Sequence, residues 1–187
     1  MKIIIVLLLA VFFSLPGASS FADSVTLKTI VFKSSDQYTN TPGTANSVTD
    51  NETGLIWIKN PTTIGTVGGY NFSAVMLWPE ALLAIAALNA ANSGAGYDGS
   101  NQWRLPNVKE LQSIVDYSRD APYINPIFFI SPPTIRDFYP ATTYYWSSTT
   151  SFYGLGYEWC VNFSDGGVAG GRVLHEDKNY VRPVRDS

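Results

Sequence analysis

The order of the apolar patterns limits what this chain can fold into more than any single residue does. Two helical periodicities, in "WPEALLAIAALNAANSG" (residues 78–94) and "NVKELQSIVD" (107–116), lie between β-rich pieces on the N-terminal side and a run of alternating stretches toward the end. Helices that do not alternate with strands argue against a doubly wound parallel sheet. The pattern predicts an α+β fold: a mostly antiparallel sheet, two short helices and long ordered loops.

Local signals fill in that outline. "VTLKTIVF" (25–32) reads as a strand, followed by a polar loop to residue 47. Asp50 to Gly54 is a dense turn signal, so "VTDNETGLIWIKN" predicts a hairpin. In its second arm Leu55 and Trp57 share one face, Ile56 and Ile58 the other; a strand apolar on both faces is covered on both sides. Residues 60–77 read as loop. In the first helix Pro79 suits the first turn, and Ala81, Leu82, Ile85, Ala86 and Leu88 form the expected buried face. Asn107 and Glu110 have capping-box spacing ahead of Leu111, Ile114 and Val115. Five prolines between Pro122 and Pro140 mark an irregular, aromatic loop. "YYWSSTTSF", "YEWCVNF" and "GGRVLHEDKNYVRPVR" complete the β portion, with a turn at Asp165-Gly166-Gly167. Strands at both ends of the chain would pair and close the domain.

The first 22 residues read as a signal peptide: Lys2, the apolar run Ile3–Phe13, a break at Pro16-Gly17, and Ser20-Phe21-Ala22 as the cleavage site. That run is shorter than the roughly 20 residues a membrane span needs. The expected product is exported (periplasmic, secreted or cell-surface), with residues 23–47 as an N-terminal strand and polar loop and 48–187 as the main domain. Cleavage removes Lys2 and no acid, which takes the formal charge from −3 to about −4. No two Lys or Arg are adjacent, so nucleic acid is not an expected partner.

An exported chain whose only cysteine is Cys160 has no internal disulfide. Aromatic burial must supply the core instead, and five Trp and eleven Tyr are available. Trp57, Trp103, Trp146 and Trp159 are the expected structural tryptophans. Arg104 in "WRLP", with Arg182 and Arg185 in "YVRPVR", is placed beside rings and prolines. A guanidinium can stack on such rings and bridge a carboxylate or several loop carbonyls, with Asp50, Asp116 and Asp186 as candidate partners. The alternative use of these arginines is to grip an anionic ligand.

Six motifs in order carry a family resemblance: "VTDNETGLIWIK", "WPEALLAIAALNA", "WRLPNVKELQSIVD", "YYWSSTT", "EWCVNFSDG" and "YVRPVR". Over Val48 to Arg185 the chain resembles the C-terminal domain family of the collagen-like adhesin Lcl. The resemblance implies a compact fold related to C-type lectins and to the formylglycine-generating enzyme, and a binding role; the founding adhesin binds sulfated polysaccharides. This chain departs from it in lacking a Gly-X-Y repeat and in being acidic. A heparin-like ligand wants clustered bases, so a binding domain is carried over but that ligand is not.

The site candidates follow from the last third. Tyr153, Tyr157, Arg172, His175 and Lys178 form the expected ligand surface for a glycan or surface protein, unless the tyrosines merely cover the core. Glu158, Asn162 and Asp165, helped by Glu176 and Asp177, are candidate Ca²⁺ ligands, against the plainer reading that Asp165 starts a β-turn. No cofactor is otherwise expected. Catalysis has poor raw material: the enzyme relative uses two cysteines, and Ser147, Ser148 and His175 lack a nucleophile-elbow context. Cys160 reads as a half-buried hydrophobe, with an intermolecular bridge or a catalytic thiolate as alternatives. The expected function is a non-catalytic, adhesin-like binding module. The alternatives are an enzyme of unknown type and a self-associating envelope protein.

Overall fold

The computed structural model describes residues 37–119, 121–128, 144–152, 156–172 and 177–187, with Arg172 described by its backbone. The expected signal peptide and the expected strand at 25–32 lie outside the described residues.

The architecture is α+β. Strands β1 (Tyr38–Asn40), β2 (Ser47–Asp50), β3 (Ile56–Ile58) and β9 (Val184–Arg185) form a four-stranded antiparallel sheet in the order β1-β2-β3-β9. A second antiparallel sheet joins β6 (Tyr144–Thr150), β7 (Tyr157–Asn162) and β8 (Val168–Arg172) in sequence order. Between them come a 3₁₀ turn (Pro61–Ile64), a small hairpin of β4 (Thr66–Val67) and β5 (Tyr70–Asn71), and two helices: α1 (Trp78–Gly94) and α2 (Val108–Ser113).

Strand β3 is buried on both faces, as its two-sided apolar pattern predicts. Trp57 joins Tyr145, Val161, Leu111, Ile114 and Val184 in one apolar cluster, under α2. Ile56 and Ile58 join Trp103, Trp146, Cys160 and the inner face of α1 in the other. Alternation along β6 and β7 divides their side chains between the same two clusters. Trp57, Trp103 and Trp146 are buried as expected, while Trp159 is half-buried and packs on the exposed Phe152 at 6.3 Å.

Two local expectations need correction. Tyr38–Asn40 lies in the stretch read as polar loop, yet it pairs with β2; Tyr38 packs edge-on to Phe128 at 5.0 Å, a distant contact invisible in local composition. The buried face of α1 is Ala81, Ala84, Ile85 and Leu88, whereas Leu82 and Ala86 face outward. A helix with almost no charge offers no pattern by which to choose its inner face. It leaves helical geometry at Ala91–Ser93, with Asn92 and Ser93 at positive φ, close to the expected stop. The closing strand β9 pairs with the second arm of the hairpin, at Ile56 and Trp57; its expected pairing with an N-terminal strand falls outside the described residues.

The expected capping box is present: Asn107 Oδ1 accepts from Glu110 N (2.9 Å) and Glu110 Oε2 from Asn107 N (2.7 Å). The same Glu110 carboxylate takes both terminal nitrogens of Arg104 at 2.8 and 2.9 Å, and Arg104 also reaches Asp186 at 2.8 Å. Asp186 is one of the expected partners; Glu110 is not among them. Asp50 and Asp116 serve local turns instead, Asp50 binding Gln37, Glu52 N and Thr53, and Asp116 binding Ser118. Arg185 lies over the Trp103 ring at 5.4 Å.

Arg182 is fully buried. It donates to the carbonyls of Ile58 and Lys59, both at 2.7 Å, and its guanidinium lies 5.4 Å from the Phe128 ring centre and 5.2 Å from that of Tyr145. Burial lowers its pKa and the Tyr145 hydroxyl opposes that shift. Truncation would strand two carbonyls in the interior, at about 3–5 kcal/mol. Arg182→Ala is therefore expected to lower the urea midpoint steeply. Arg182→Lys should recover only part of the loss, because an ammonium can donate to both carbonyls but has no planar face to lie against the Phe128 and Tyr145 rings.

Candidate functional site

The features that shape the site are glycines and one segment beyond the sheet. In β8, "VAGGR", Gly170 stands opposite Trp159 and Gly171 opposite Glu158. A Cβ on Gly171 would run into the six-membered ring of Trp146, so close packing of that ring requires glycine. Trp146 is itself fixed by donating from Nε1 to the Met76 carbonyl at 2.8 Å. Asn179 pairs with the same Met76 through both backbone groups, at 3.0 and 3.1 Å. These contacts hold residues 177–179 beside the Cys160 face of the second sheet.

The space between is a cavity of ≈ 300 Å³. Tyr144, Cys160 and Ala169 form its sheet wall, and Asp177, Lys178 and Asn179 face them. The charges of Asp177 and Lys178 are adjacent and opposite. Asn179 is buried, at 6 % exposure, so a polar side chain is built into the wall and does not drape over it. Burial raises the Tyr144 hydroxyl's pKa, with Asp165 adding to the shift and a hydrogen bond to Asn162 opposing it.

Cys160 sits in this wall as a thiol. Its Sγ donates to the Ala169 carbonyl at 3.2 Å. Burial pushes it up to about 12, Asp177 pushes in the same direction, and backbone contacts at Gly171 and Ala169 oppose them. A nucleophilic cysteine needs the reverse shift. Ser147 is fully buried and donates to the Trp159 carbonyl at 2.6 Å, while Ser148 donates to that of Pro106 at 3.3 Å.

The expected ligand surface is divided. Lys178 lines the cavity. Tyr157 is not in its lining; it pairs with Arg172, and three residues along β7 from Cys160 it lies on the opposite strand face. Tyr153 and His175 lie outside the described residues, as does Glu176. The candidate calcium ligands are also spread out. Glu158 and Asn162 share a strand face, but four residues of extended chain separate them by roughly 13 Å. Asn162 Oδ1 accepts from Ser164 N and Oγ, and Asp165 Oδ1 from Gly167 N at 2.7 Å, which is ordinary turn chemistry. Among the described residues no three His, Cys, Asp or Glu side chains gather to hold a metal. Glu158 is buried, which raises its pKa, and a hydrogen bond to Thr150 opposes the shift.

Sequence reasoning missed the partners that complete the cavity, Tyr144 and Asn179. It also missed Asp98, whose carboxylate takes Ala45 N, Asn46 N and Ser47 Oγ at 2.8, 2.9 and 2.5 Å and so ties the loop before α2 to β2. The available signal was "YDGS", an Asp-Gly pair that reads as a turn and hides a long-range anchor.

The family model described as the Lcl C-terminal domain matches residues 46–185. No curated protein matches the chain. No helix among the described residues is long and apolar enough to cross a membrane.

The state of Cys160 gives a direct check. Native protein should resist thiol reagents at about pH 8 and label fully once denatured. The unfolded thiol ionises near 9.0 and the folded one near 12, so its contribution to stability is complete below 9.0 and lost as pH rises through 12. Chemical denaturation across that range should show stability falling with pH, with a shallower fall in Cys160→Ala.

Proposed function

Because the chain belongs to the Lcl C-terminal domain family, we propose that it is an exported, non-catalytic binding module of adhesin-like role that recognises a glycan through the cavity beside β8. The observation that carries this reading is the lining itself. Acceptor, donor and amide groups from Asp177, Lys178 and Asn179 face an apolar wall of Cys160, Ala169 and the Tyr144 ring. A few placed polar groups in an otherwise apolar concavity are the usual chemistry of a small-ligand site. The Trp146 ring packed against Gly171 and the pairing of Asn179 with Met76 hold part of the lining in place, which limits the ordering that binding requires. The protonated thiol of Cys160 and the committed hydroxyl of Ser147 favour binding over covalent catalysis. Scattered bases on a chain of net charge −3 favour a ligand other than a polysulfate.

A self-associating envelope protein is the second reading. It is favoured by the outer face of α1, where Leu82 and Leu83 are 41 % and 55 % exposed. Light scattering of the purified chain would show a concentration-dependent increase in mass under that reading.

A glycan array probed with residues 23–187 tests the main proposal. Selective binding to some glycans, weakened about tenfold or more in Lys178→Ala, is the expected result. Binding to none, or binding indifferent to that change while the variant stays folded, contradicts it.

A further inference from the structure

We infer that the cavity receives one uncharged pyranose, the terminal residue of its glycan, and not an internal stretch of polysaccharide; this rests on the glycan-binding reading above. Size is the first argument. At ≈ 300 Å³ the cavity lies at the bottom of the range of roughly 300–1,000 Å³ that ligand pockets occupy, which leaves room for a single sugar ring. The second argument is the mixture of polar groups. A carboxylate only accepts hydrogen bonds and an ammonium only donates them, while an amide and a phenol do both. Asp177, Lys178, Asn179 and the Tyr144 hydroxyl, which line the same cavity, together offer all of these. Vicinal hydroxyls, each both donor and acceptor, match such a set. An anion would want donors alone and a cation acceptors alone.

The apolar side is the third argument. The Tyr144 ring, Cys160 and Ala169 present a surface without charge, suited to the C–H face of a pyranose. Asn179 cannot swing away, because its backbone is paired with Met76 in both directions. The cavity thus sets the polar groups of residues 177–179 beside an apolar patch of Tyr144, Cys160 and Ala169, around a space of ≈ 300 Å³.

The test uses residues 23–187 and saturation-transfer NMR with a panel of methyl hexopyranosides, the matching hexuronates, and a linear tetrasaccharide of any glycan that binds on the array. The expected result is saturation transfer to at least one uncharged hexopyranoside, which also displaces the arrayed glycan. The hexuronate should bind more weakly, and Asp177→Asn should weaken the hexopyranoside about tenfold. Ala169→Leu, which fills the cavity, should abolish binding; if that variant fails to fold, Asp177→Asn decides. The inference is overturned if the array yields a ligand that no uncharged monosaccharide displaces, if the hexuronate binds more tightly, or if Asp177→Asn leaves binding unchanged. In those cases glycan binding itself would stand. An array with no bound glycan removes the premise and the inference together.

Discussion

A buried guanidinium organises this fold. Arg182 sits with no exposure to solvent, bonded to the carbonyls of Ile58 and Lys59 where β3 ends and layered between Phe128 and Tyr145. The segment that carries it, residues 179–185, pairs with four pieces of chain far apart in sequence. Asn179 pairs with Met76, Tyr180 with Tyr145, Val184 with both Trp57 and Arg104. The last few residues therefore connect the two sheets, and the clamp at Arg182 fixes where that connection crosses. A chain without an internal disulfide must obtain this long-range order from packing and hydrogen bonds alone.

The consequence for the site is indirect but firm. Asn179 begins the same closing segment and ends the polar wall of the cavity. Trp146, whose ring demands glycine at position 171, is held by Met76, which in turn holds Asn179. Asn179 in the cavity lining is thus positioned by the core. Rigid placement of a few polar groups is what limits the ordering penalty on binding.

Much of this was legible in the sequence because it is local. The order of periodicities gave the α+β class, "NVKE" gave the cap of α2, and the two-sided apolar pattern around Trp57 foretold a covered strand. The placement of arginines beside rings and prolines identified the clamp residues, and Arg182 uses carbonyls as one of the two options foreseen. What stayed hidden depends on distant partners. The inner face of α1 could not be chosen from a stretch whose only charge is Glu80. β1 is set by Phe128, and Glu110, legible as a cap, also takes Arg104. The candidate ligand set was drawn from sequence proximity, yet alternation along β7 puts Tyr157 on the face opposite Cys160, while Lys178, beyond the strands, lines the cavity.

Native-state hydrogen exchange would test the central claim most directly. The amides of Ile58, Met76, Arg104 and Trp146 donate to carbonyls of residues 179–184, at 3.1, 3.0, 2.8 and 2.9 Å. If the closing segment joins the two sheets into one cooperative unit, all four should exchange only through global unfolding, with a common opening free energy equal to the protein's stability. Early exchange at Ile58 and Arg104 while Trp146 stays protected would mean that the sheets open separately, and would contradict the account.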